Sequence, residues 1–182
     1  MNESELHNLR FPIGEFSNPE RVSSSDLENW IEDIREFPEL VKTHTQNLSS
    51  EELSWKYRPD GWNIKQLVHH CVDSHLNAWS RFKLALTEDN PAIRPYFEDR
   101  WANLPEANLD DISDSLLILE ALHRKWVRML EFMSEEDMNR TYFHPEYNDT
   151  FALFQVLANY AWHCKHHEAH IRQALSAQGK YN

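Results

Sequence analysis

Apolar residues first gather at helical intervals between residues 30 and 41, where Trp30, Ile31, Ile34, Phe37, Leu40 and Val41 share one stripe. Ser24, Ser25 and Asp26 supply cap chemistry just upstream, so the pattern predicts a first helix over about 26–47. Pro38 lies inside it and is expected to kink or restart it. RPDGW at 58–62 reads as a turn, and Asn63 with Gln66 has the spacing of a capping box that opens a second helix through about Leu86. Ile112, Leu116, Leu119, Leu122, Trp126 and Leu130 mark a third helix over about 111–133. A fourth, capped by Asp149 or Thr150, runs to about Ala177 and stops before Gly179.

The intervening segments lack such periodicity. Residues 1–23, broken by Pro12, Gly14 and Pro19, read as an irregular extension. The connection 88–109 holds Pro91, Pro95 and Pro105 among Tyr96, Phe97 and Trp101, and its aromatics predict that it folds back over the helices. SEEDM at 134–138 reads as a short helical turn and HPEYND at 144–149 as a loop. Four amphipathic helices in 182 residues predict an all-α fold, a four-helix bundle forming one domain, with 24–178 as its helical part.

Composition narrows the function. With 30 Asp and Glu against 18 Lys and Arg, the formal net charge is -12, a field that repels phosphate backbones. Nucleic acid and anionic membrane are therefore not expected partners; a small-molecule substrate is. Cys71 and Cys164 do not make the dense pattern of a secreted disulfide scaffold. The start MNESELHNLRFPIGEF lacks the basic-then-apolar order of a signal peptide, and no apolar run approaches the ~18 residues of a membrane helix. The expectation is a soluble, cytoplasmic protein.

Histidine is the outlier, with 11 in the chain. In YAWHCKHHEAHI, at 160–171, His163 and His167 stand four apart and so share a helix face, the spacing at which one helix offers two nitrogens to a metal ion. His166 and His170 form a rival pair on an adjoining face, and both pairs cannot serve one core ion. A facing helix can add a third ligand, and LVHHCVDSH offers adjacent His69 and His70, which point about 100° apart. Periodicity alone does not choose between them. Glu120 and His123 match the Glu-x-x-His pattern of di-iron bundles once, with no second copy, and read as surface or packing residues. Cys164 precedes His167 by three, but a buried cysteine more often packs than ligates. Zinc-protease, nucleophile-elbow, phosphate-loop and dinucleotide signatures are absent.

Six blocks in order resemble the YfiT branch of the DinB/YfiT-like metalloenzyme family: FPIGEF (11–16), DGWNIKQLVHHCVDSHLNAWSRFKLALTED (60–89), RPYFEDRWANLPEA (94–107), ALHRKWVRML (121–130), HPEY (144–147) and YAWHCKHHEAHI (160–171). The resemblance covers nearly the whole chain. It implies a four-helix bundle with a mirror variant of up-and-down topology, a homodimer, and one divalent metal ion, zinc or nickel, held by three histidines. Carried over residue by residue, those are His70, three positions before Asp73, with His163 and His167. Where this chain has Cys164 the family commonly has glycine, which changes a neighbour and not a ligand.

Three neutral imidazoles leave a divalent ion its full charge and an open position, the plan of a catalytic rather than a structural site. Such a site suits either a water activated for hydrolysis or a thiol held as thiolate. The resemblance accordingly implies a metal-dependent hydrolase. The alternative is an S-transferase adding bacillithiol or a similar low-molecular-weight thiol to electrophiles, and a non-catalytic metal- or toxin-binding bundle is a third reading. Asp73, about one turn beyond His70, is the candidate to orient a ligand or take a proton, with Asn77 and Arg81 continuing its stripe. Trp101 and His144 lie in connections that could close a pocket but are expected to pack.

Overall fold

A computed structural model describes residues 1–182. Four long helices carry the fold: α2 (Ser24–Thr45), α4 (Ile64–Thr87), α6 (Ser113–Glu131) and α8 (Leu153–Ala177). Short elements fill the connections: α1 (Glu3–Arg10), α3 (Ser50–Leu53), α5 (Glu98–Trp101), a 3-10 turn (Glu106–Asn108), α7 (Glu135–Met138) and the strands β1 (Thr141–His144) and β2 (Asp149–Ala152). No helix is long and apolar enough to cross a membrane.

Capping chemistry sets the main boundaries. Asn63 Oδ1 accepts from Gln66 N–H while the Gln66 side chain accepts from Asn63 N–H, the reciprocal box that starts α4. Ser23 and Asp26 do the same for α2, one position ahead of the expected caps. Helix α8 ends where Gln178 turns left-handed, at φ 48°, before Gly179 at φ 78°.

Each long helix turns one stripe inward. Ile34, Phe37 and Val41 of α2 meet Leu67, Val68 and Phe82 of α4, Leu119, Trp126 and Leu130 of α6, and Leu153, Leu157 and Ile171 of α8 in one buried core. Helix α2 packs on α6 and α8, and α4 packs on the same two, so the consecutive long helices α2 and α4 lie across a diagonal. Short loops force sequential helices to be antiparallel neighbours; the connection 46–63 is long enough to release that constraint.

Four expectations change. The extension is not wholly irregular, because Asn2 and Glu5 form a capping box that opens α1 before Pro12. HPEYND is not a simple loop. It is the turn of an antiparallel hairpin, with Thr141 opposite Ala152 and His144 opposite Asp149. Strands of four residues are too short to leave a period-2 signal, though TYFH and DTFA carry β-favouring side chains. The hairpin takes residues 149–152, so α8 begins at Leu153 and neither Asp149 nor Thr150 caps it. Gln155 instead accepts from Ala152 N–H at 3.1 Å. Finally, Pro38 does not restart α2, which continues through it in one run.

The long connection does fold back. Phe143 N–H donates to the Pro91 carbonyl, and Ile93 N–H donates to the Phe143 carbonyl, both at 3.0 Å, stitching the chain before α5 to the hairpin.

Candidate metal centre

Helix α4 delivers His70, and one turn of α8 delivers His163 and His167. Their ring centroids are 5.5 Å (His70–His163), 4.9 Å (His70–His167) and 4.3 Å (His163–His167) apart. One nitrogen from each lies within 4.8 Å of the others, close enough for a single ion to bond all three. The choice between His69 and His70 is made by helix phase. His69 turns out toward α6, where its Nδ1 meets Ser115 Oγ at 2.8 Å, while His70 turns in against Trp62.

All three rings are held neutral. Burial, with the nearby His166, pushes His70 down to about 4 from its ordinary 6.5. Burial, with the surrounding histidines, keeps His163 and His167 well below that ordinary value. Neutral imidazoles carry free lone pairs at neutral pH, so the donor set fits a borderline divalent ion such as zinc or nickel, and no carboxylate belongs to it.

A second cluster, His166, His167 and His170, shares His167 with the first. His170 resolves the overlap. Its Nε2–H donates to the Arg10 carbonyl at the end of α1, at 3.0 Å, which leaves Nδ1 as an acceptor 3.5 Å from His167 Nδ1. His167 then keeps its proton on Nδ1 and its lone pair on Nε2. The His166 ring stacks on Trp162 at 4.3 Å.

These groups form the floor of a cavity of about 730 Å³. Its walls come from Arg10, Phe11 and Phe16 of the N-terminal segment, Tyr57, Arg58 and Trp62 before α4, Tyr96 and Glu98 of the long connection, and Tyr142, His144 and Tyr147 of the hairpin. Trp162 Nε1–H donates to the Gly14 carbonyl at 3.2 Å, in a turn where Gly14 has φ 83°. Arg10, Arg58 and Arg81 line the cavity, and none is paired with a carboxylate. Burial holds the Tyr96 and Tyr142 phenols well above their usual range, so they stay protonated donors.

The remaining residues singled out from the sequence divide. Asp73 is half-buried, with its carboxyl raised to about 6 by burial and by Glu106, and makes no hydrogen bond to a ligand histidine. Asn77 donates to the Asp73 backbone carbonyl at 2.8 Å. Arg81 lines the cavity. His144 is buried against Tyr147, with its Nδ1 unpartnered. Trp101 packs on Tyr96, away from the cavity. Cys71 and Cys164 are buried free thiols, and neither belongs to a ligand cluster. Glu120 pairs with Arg124 on the surface, whereas His123 is buried.

His75 and His123 lie within the core, His75 against His163 and His123 against His75. The sequence reads His123 as a surface or packing residue and gives His75 no role; the signal for both is a histidine on a stripe otherwise apolar.

Fold and floor together define a helical-bundle protein with a cluster of three histidines that could hold a metal ion. The chain belongs to the DinB superfamily, whose family model matches residues 33–171. It is 42% identical over 166 residues to a protein of Bacillus cereus (strain 03BB102) named "Putative metal-dependent hydrolase", covering 91% of this chain and 95% of that one. A Bacillus anthracis protein of the same name matches with the same identity and coverage. Among solved structures it is similar to YfiT from Bacillus subtilis, described as "a probable metal-dependent hydrolase with an unusual four-helix bundle topology". That similarity has a TM-score of 0.91 at 38% identity, over 94% of this chain and 98% of YfiT.

Proposed function

We propose that this protein is a metal-dependent hydrolase that holds one divalent ion, zinc or nickel, on His70, His163 and His167. The observation that carries the reading is the meeting of three neutral imidazoles on the floor of a cavity open to a small molecule. Such an ion, when bound, supplies Lewis-acid polarisation and lowers the pKa of water. The chain's own groups bind and orient. The three arginines suit an anionic part of a substrate, and the protonated tyrosines suit its carbonyl or hydroxyl oxygens. The test is elemental analysis of untagged protein and of the His163→Ala/His167→Ala variant. About one equivalent of metal, lost in the variant, supports the site; full metal content in the variant refutes it. Turnover of activated esters or amides by the loaded protein but not the variant supports hydrolysis.

A second reading is supported by the cavity itself. About 730 Å³ with three unpaired arginines has room for an electrophile beside a carboxylate-bearing thiol such as bacillithiol. Mass spectrometry of a thiol and an alkylating electrophile incubated with the loaded protein separates the two readings. Metal-dependent S-conjugate without ester or amide turnover favours transfer. Stoichiometric capture without turnover of either kind favours a binding role.

A further inference from the structure

Behind His163, three imidazoles are joined in series to a backbone carbonyl. His163 Nδ1 lies 3.0 Å from His75 Nε2, His75 Nδ1 lies 2.7 Å from His123 Nε2, and His123 Nδ1 lies 2.6 Å from the Ile34 oxygen. His75 and His123 are 0% and 1% exposed, enclosed by Phe37 and Trp126.

The series has only one direction. A carbonyl accepts and never donates, so the proton on His123 sits on Nδ1. A neutral imidazole then has a bare Nε2, which can only accept from His75 Nδ1–H. The same step repeated puts the His163 proton on Nδ1 and its lone pair on Nε2. The reverse assignment would set two lone pairs 2.6 Å apart in a buried site. The carbonyl at the far end is open because of the sequence. Ile34 stands four residues before Pro38, and proline has no N–H to give it.

We propose that His75 and His123 are positioning residues that carry the acceptor character of the Ile34 carbonyl to His163, fixing its ring and tautomer so that Nε2 faces a metal ion. This rests on the reading of His163 as a ligand. Because the series ends on a carbonyl that cannot pass a proton onward, it is an anchor and not a proton path. Metal-binding histidines are held in this way by carboxylates or carbonyls; here two neutral rings relay the carbonyl across the bundle from α2 to α8.

The experiment begins with unmodified metal-free protein, labelled with nitrogen-15, whose imidazole nitrogens report tautomers in long-range proton–nitrogen spectra. The expected result is the Nδ1–H form for His123, His75 and His163 alike. His163 in the Nε2–H form would overturn the proposal. Zinc affinity is then read by chelator competition in His75→Phe and His123→Phe, with melting curves to establish folding. His75→Phe is expected to bind zinc about 10–100-fold more weakly, and His123→Phe more weakly than wild type by a smaller factor. Unchanged affinity in folded His75→Phe would also overturn it. If neither variant folds, the wild-type tautomers decide. A wild-type protein that binds no zinc removes the ligand reading and this proposal with it, whereas a wrong tautomer in a zinc-binding protein removes the relay alone.

Discussion

Beside the candidate ligands, Cys71 and Cys164 each follow a histidine of the site yet turn their sulfurs into the core. Burial pushes both thiols far above the usual cysteine range, so neither offers a thiolate. Cys164→Ala should therefore keep full metal content, at a cost of about 1 kcal/mol in stability from lost packing, read by elemental analysis and denaturant unfolding. His123 carries a pH prediction. Burial lowers it from 6.5 to about 4, so between those values the unfolded chain binds more protons than the folded one. Stability present above pH 6.5 is thus lost as pH falls toward 4. The melting temperature should decline across that window, and His123→Phe should flatten part of the decline. The His163–His167 spacing was legible because four residues bring side chains onto one face. Periodicity could not choose His70 over His69, since both neighbour apolar positions; the family resemblance chose His70, and the packing of His69 on Ser115 gives the physical reason.

The long helices were readable from apolar stripes and capping pairs, whereas α1 and the hairpin were not. Helix α1 buries no residue, so it leaves no apolar stripe, and the hairpin depends on pairing with the chain near Pro91. Pro38 is instructive in the other direction. Local chemistry predicts a kink or a restart, but tertiary structure gives the orphaned Ile34 carbonyl another donor and the helix runs on without restarting. Because α1 adds nothing to the core, removing residues 1–16 should leave the bundle helical and cooperatively folded by circular dichroism. The same deletion takes away the Arg10 and Gly14 carbonyls that hold His170 and Trp162. Zinc should then dissociate faster in chelator-chase measurements, while the melting temperature falls by only a few degrees.

For the whole molecule, an ion that binds only the folded state adds stability in proportion to the logarithm of its excess, about 4 kcal/mol at a thousand-fold excess over Kd. Zinc or nickel should raise the melting temperature in scanning calorimetry, a chelator should reverse the rise, and the His163→Ala/His167→Ala variant should show none. We further propose that the protein self-associates as a homodimer, an expectation drawn from the resemblance. Light scattering at twice 21.7 kDa would bear this out, and a mass near 21.7 kDa would refute it.

The cavity is assembled from two kinds of part. Its floor belongs to α4 and α8, whose other faces are the core, so a change there disturbs the entire bundle. Its walls come from the N-terminal segment, the long connection and the hairpin, which carry little of that core. Side chains of the rim can therefore be exchanged to change what the cavity admits while the core packing beneath the candidate ligand histidines stays as it is, provided the Arg10 carbonyl that holds His170 remains in place. The residues that would hold an ion and the side chains that would choose a guest thus sit on different elements.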